Sequence, residues 1–165
     1  METAISIPVI VFLLSVLGGG MMWSLRMVSW QKDDWELQQE LQSVLERIVE
    51  DASRAEYAKV TRLSGGDFLW LFYRHDLSGE KLEGAPDCTI LYAKQDSEKY
   101  REGRMVVHSS SMPMTGDSIL GRVNITEFRC RMETPHVLHI RLTGRSFLTK
   151  HEFSLETAVF MRGHE

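Results

Sequence analysis

Cysteine is nearly absent from this chain. Two residues, Cys88 and Cys130, stand in a sequence of 165, too few for a disulfide scaffold. They could form one bridge in an oxidising compartment or remain as two buried free thiols, and the sequence favours neither. Concentrated positive charge is also missing. Lys and Arg total 19 against 23 Asp and Glu, a net charge of −4, and no basic block interrupts that balance. This excludes a surface built for non-specific nucleic-acid binding. Recognisable catalytic and cofactor motifs are missing as well. There is no GxSxG, no Walker loop, no GxGxxG after a strand and no CxxC.

The histidines form no constellation. His151-Glu152 lacks the second histidine of a zinc-protease helix. His136 and His139 are three apart, and on a strand that offset sends them to opposite faces. Ser109-Ser110-Ser111 beside His108 reads as a polar loop. Asn124-Ile125-Thr126 matches a glycosylation sequon, but the segment reads as strand. Met105, Met112, Met114, Met132 and Met161 show no ligand spacing and read as core or loop residues. No catalytic residue, metal ligand or cofactor is assigned.

Charge is absent altogether from Ala4 to Trp23. The run ISIPVIVFLLSVLGGGMMW is long enough to cross a bilayer as a helix, which takes roughly 20 apolar residues. A secretory signal peptide would carry a basic n-region and a small-x-small cleavage site, and neither is present. An interfacial helix would need a polar face, which this run does not have. A retained membrane helix is the expectation. Pro8 near its start is tolerated there. Gly18-Gly19-Gly20 would weaken a helix in water but permits close helix approach in lipid. Trp23 and Trp30 suit an interfacial belt or cover for the adjoining domain.

After Gln31 the pattern turns amphipathic. Leu37, Leu41, Val44, Leu45, Ile48, Val49, Ala52 and Ala55 follow helical spacing, with Glu36, Glu40, Glu46, Arg47, Glu50, Asp51 and Arg54 on the other face. No Gly or Pro interrupts from Met21 to Ala58, so the spacing predicts one helix flowing from the apolar run to about Val60. Past it, Ser64-Gly65-Gly66-Asp67 signals a turn. Strands are expected at Phe68–Tyr73, Thr89–Ala93, Arg104–His108, Leu120–Phe128 (or, extended, on to Met132), Val137–Leu142 and Phe147–Met161. Loops are expected at Leu77–Asp87, Gln95–Gly103 and Ser109–Asp117, with a turn at Gly144-Arg145. The expected organisation is a transmembrane half-helix over 1–30 and a soluble domain over 31–165. Within the latter an amphipathic half-helix (31–60) packs on an antiparallel β region (61–165), an α+β arrangement.

The order of these segments resembles the minor pseudopilins of type II secretion, type IV pilus and competence systems, most closely their J-type or PilW-like branch. QELQSVLERIVEDASRAEYAKV is similar to the family's second half-helix. LFYRHDLSGEKLEG resembles its tyrosine-and-arginine strand and loop. PMTGDSILGRVNITEFRCRM and HVLHIRLTG…FSLETAVFMRG resemble the segments that close its sheet. The resemblance spans the whole chain and rests on the order of the motifs rather than on any one of them. It implies a pilin-like fold and a non-catalytic subunit of a bacterial inner membrane. The protein would be single-pass with its soluble domain outside the cytoplasm. Its partners would be other pilin-like subunits, met through the N-terminal helix, and a prepilin peptidase.

Family members carry a basic leader ending in Gly, then an aromatic residue and a Glu just inside the apolar helix. Here Met1-Glu2 directly precedes the apolar run. The resemblance makes Glu2 the assembly carboxylate that pairs with a neighbouring subunit's N-terminal amine, because a charge in a low-dielectric bundle is stable only when paired. It also implies that the leader lies upstream of this reading frame. A literal count of Arg26 and Lys32 favours a cytoplasmic soluble domain, and a basic leader would reverse that count. Two other classes stay open: a single-span membrane protein with an unrelated structural or sensory β domain, and a membrane-tethered hydrolase. The latter needs converging His and carboxylate groups.

Overall fold

In the computed structural model the described residues are 2–63, 66–73, 88–97, 102–107, 112–115 and 123–162. One helix, α1 (Glu2–Arg54), runs for 53 residues, about 80 Å at 1.5 Å per residue. Eight strands follow: β1 (Tyr57–Leu63), β2 (Gly66–Tyr73), β3 (Cys88–Ser97), β4 (Glu102–Val107), β5 (Met112–Pro113), β6 (Val123–Thr134), β7 (Val137–Ser146) and β8 (Glu152–Phe160). The layout is α+β, a long helix before antiparallel strands.

The helix ends earlier than its spacing suggests. No Gly or Pro stops it at Arg54. Instead the backbone is captured by β pairing: the Glu56 amide donates to the Phe72 carbonyl at 3.0 Å, and Tyr57–Leu63 then pairs with β2 from Tyr57↔Phe72 to Leu63↔Gly66. Residues 57–60, expected as helix, are therefore strand. Aromatic and β-branched side chains at Tyr57, Val60 and Thr61 fit a pleated surface. Propensity had no breaker to report, and tertiary pairing decided the end.

The β region is two sheets rather than one. The first has order β1-β2-β3-β4-β5 and the second β6-β7-β8, all pairs antiparallel. β6 lies against strands of the first sheet. β3 also runs on to Ser97, through residues expected as loop, because Gln95 and Asp96 pair with Arg104 and Gly103. The expected loop at 77–87 lies outside the described residues.

One core serves both sheets. The buried face of α1 carries Leu37, Leu41, Val44, Ile48, Ala52 and Ala55, which meet Leu69, Leu71 and Tyr92 of the first sheet and Phe128, Leu138, Ile140 and Leu142 of the second. Full burial of each Leu or Ile stabilises by roughly 2 kcal/mol relative to exposure. The helix packs mainly on β7 and β8. Gly144 stays within β7 instead of turning, because Leu37 and Leu41 rest on it. A Cβ there would meet Leu37 Cδ1 at 2.9 Å. The chain reverses later, at 147–150, where Lys150 takes a left-handed φ of 63°.

Candidate functional site

The feature that distinguishes this molecule is the half of α1 that stands bare of the other described elements. An apolar window with mean hydropathy 1.7 near its N-terminus is 0% buried by the rest of the chain. Phe12, Leu14, Leu17, Met21 and Trp23 all stand exposed. Exposing this much contiguous apolar surface to water is untenable for a soluble monomer. Length and composition suit a membrane span. Nothing lies within 4 Å of a Cβ built on Gly18, Gly19 or Gly20, so no contact among the described residues requires these glycines. Glu2 is the first residue of α1, and its side chain lies outside the described residues.

At the base of the bare half, two adjacent aspartates clasp the β7–β8 turn. Asp33 is only 2% exposed. Its Oδ2 accepts from the Ser146 hydroxyl and from the Leu148 amide at 3.2 Å. Its Oδ1 is buried without a hydrogen-bond partner among the described residues. Asp34 accepts from the Thr149 hydroxyl and lies 2.9 Å from His151 Nδ1. Burial pushes the Asp34 carboxyl up, but the Thr149 hydroxyl and the His151 ring outweigh it and leave it below its ordinary value. In the sequence these paired acids fall in a charged stretch, residues 31–54, of the kind that normally makes a solvated helix face. Their signal is positional: Asp33 sits four residues before Leu37 and eight before Leu41, on the core stripe.

A third aspartate, Asp51, closes the other end of that stripe. Asp51 Oδ2 accepts a short hydrogen bond from the Tyr92 hydroxyl, and the Asp51 carbonyl accepts from Tyr73 at 2.7 Å. Burial first, then the Asp51 carboxylate, drives the Tyr92 phenol far above its ordinary range. The Tyr73 bond satisfies one of the carbonyls a helix leaves open at its C-terminus. These contacts fix α1 on the sheets and describe anchoring rather than chemistry.

The cysteines are not brought together. Cys130 is a buried free thiol, whose backbone amide donates to Asp67 Oδ2 at 2.9 Å. Cys88 pairs with Tyr73 at the opposite end of β2 from Asp67, roughly 20 Å along the strand at 3.3 Å per residue. A disulfide needs Cα atoms within about 7 Å, so this fold does not form the bridge the sequence allowed. Burial, reinforced by the Asp67 carboxylate, raises the Cys130 thiol far above its ordinary value, which keeps it protonated and a poor nucleophile.

Cys130 lines an open cleft of about 500 Å³ with Arg62, Arg129, Arg131, Arg141 and His139. Acids answer most of that charge. Glu127 pairs with Arg129 at 2.6 Å and Arg141 at 3.9 Å, Asp67 with Arg62 at 3.7 Å, and Glu133 with His139 at 2.6 Å. His136 lies instead beside the Phe160 ring, 6.1 Å between centroids. Among the described residues no group of three or more His, Cys, Asp or Glu could hold a metal. No protein-family model, curated protein or solved structure matches the chain.

Proposed function

We propose that this chain is a non-catalytic, membrane-anchored subunit of the minor-pseudopilin type, assembling with other pilin-like proteins in a pseudopilus or pilus for secretion, pilus biogenesis or DNA uptake. One observation carries the reading: a single unbroken helix whose N-terminal half is bare and apolar while its C-terminal half is the core of a β domain. Lipid covers the bare half before assembly, and like helices cover it afterwards. The contact-free glycines support that use, since small residues let membrane helices approach closely. On this reading the domain faces away from the cytoplasm of a bacterial inner membrane. Glu2 then enters the helix bundle as a carboxylate that needs a cationic partner, and a prepilin peptidase processes the chain.

The test is the N-terminus of the protein from its native membrane, read by mass spectrometry. A methylated aromatic residue a few positions before Glu2 is expected. An unprocessed chain beginning at Met1 would sink the pilin reading. Glu2→Ala is expected to abolish co-assembly with neighbouring subunits while the β domain stays folded. One observation favours a second reading, a single-span protein with an unrelated structural or sensory domain: the division of the β region into two sheets, where the resemblance implied one.

A further inference from the structure

The β7–β8 turn presents two large apolar side chains to solvent, Phe147 at 52% and Leu148 at 46% exposure. They do not project from a loose loop. The Ser146 amide donates to the His151 carbonyl at 2.9 Å, and Asp33 and Asp34 hold the Ser146, Leu148 and Thr149 groups between them. The turn is thus fixed to α1 at one height, immediately beyond the bare apolar half. Lys150 Nζ sits 4.5 Å above the Phe147 ring, so the tip pairs an aromatic face with a cation.

The helix spacing gives that height. Trp23, Met27, Trp30 and Asp34 follow i, i+4, i+7, i+11 and share one face. The turn is therefore bonded to the same face that carries Trp23 and Trp30, two of the three exposed indoles of α1. Trp30 lies about 6 Å below Asp34 along the axis, and Trp23 about 10 Å below that. The uncharged run ends at Trp23, which puts Trp23 at the edge of the hydrocarbon and Trp30 at the outer margin of the headgroup layer. Membrane helices tilt by about 20° on average, and a tilt toward this face brings the turn tip down onto the same layer. Arg26, Lys32 and Lys150 then lie where anionic headgroups attract cations.

We infer that the β7–β8 turn is an interfacial foot: Phe147 and Leu148 rest in the headgroup layer of the bilayer that holds α1, with Lys150 toward anionic lipid. The foot would set the orientation of the β domain over the membrane. This inference rests on reading the bare half of α1 as membrane-spanning.

The test uses the full chain reconstituted in vesicles of mixed zwitterionic and anionic lipid, in a Cys88→Ser background. Buried Cys130 stays unlabelled in the folded protein. An environment-sensitive fluorophore is placed singly at Leu148→Cys, at Leu14→Cys as a marker of the span, and at Pro135→Cys, the exposed β6–β7 turn at the far end of β7. Lipids brominated near the glycerol or deep in the chain serve as quenchers. The expected result is loss of most Leu148-site emission to shallow quencher, loss at the Leu14 site to deep quencher, and none at Pro135. A quenched Leu14 site with an unquenched Leu148 site overturns the foot and leaves the span intact. Failure of both sites to quench overturns the foot together with the membrane reading. Equal quenching at Leu148 and Pro135 overturns the foot as well, since a specific contact cannot touch both ends of β7.

Discussion

Asp51 shows how one buried carboxylate ties three elements together. It is 9% exposed, and its Oδ2 has the Tyr92 hydroxyl as donor while its own backbone carbonyl accepts from the Tyr73 hydroxyl. Removing a donor from a buried acceptor costs more than the bond itself contributes. Tyr92→Phe is expected to destabilise the folded domain by about 1–3 kcal/mol, read from urea unfolding of the full chain in detergent. A change near zero would mean that water reaches Asp51 and that the contact anchors nothing. Asp34 makes a claim about pH. Its carboxyl is held below the ordinary 3.8 in the folded state, so the unfolded chain takes up a proton first as pH falls. The stabilisation from Asp34 is whole above the ordinary carboxylate range and drains away as pH drops through the lower folded value. Asp34→Asn is expected to flatten the acid limb of a stability–pH curve while leaving its neutral plateau lower. An acid limb as steep as that of the unaltered chain would contradict the assignment.

At the scale of elements, the strands were legible where one face is buried and the other wet. Leu138, Ile140 and Leu142 alternate with His139 and Arg141 in the sequence and in the burial of β7. The helix was legible too, except for its end, because no Gly or Pro marks Arg54 and the strand-forming Tyr57, Val60 and Thr61 are too few to outweigh the helical spacing before them. Gly144 misled for the opposite reason: a glycine that reads as a turn is there to admit Leu37 and Leu41. The division into two sheets was not legible, since it depends on how β6 crosses the first sheet. Gly103 marks that crossing. A Cβ on Gly103 would lie 2.0 Å from the Ile125 carbonyl oxygen, a backbone atom, whereas one on Gly144 meets only the ends of flexible leucines. Gly103→Ala is expected to cost about 3 kcal/mol or more, because the backbones must separate, and Gly144→Ala about 1 kcal/mol. Thermal melting of the two variants orders them. An equal loss for both would show that β4 and β6 can part without consequence. The residues holding the turn were missed because two consecutive acids on an amphipathic helix normally mean solvent, and only the phase of Asp33 with Leu37 and Leu41 hinted otherwise.

For the whole molecule, the decisive question is whether α1 is one structural object or two. Its backbone is continuous from Glu2 to Arg54, but its burial is not. Every helix residue in the hydrophobic core lies at Leu37 or beyond, with Asp33 the first buried position among those described. The remaining two dozen residues, 31–54, draw most of their helical stability from tertiary packing rather than from propensity. Both sheets bury their apolar face, and the Asp33 and Asp51 contacts hold the two ends. Among the described residues the bare half is exposed throughout, so a chain cut before Gln31 should lose its need for detergent without losing its structure. The expected outcome is a soluble 31–165 fragment with a cooperative melt within a few degrees of the full chain. Its circular dichroism should lose only the helical signal of the deleted half. Fragment that aggregates or melts without cooperativity would show that the apolar half also organises the domain, and the two halves would then have to be treated as one folding unit. A stable fragment would instead assign the bare half wholly to what lies outside the chain, whether lipid or neighbouring helices. It would also leave the domain a rigid load on an apolar stalk, steadied by the Asp33–Asp34 clasp.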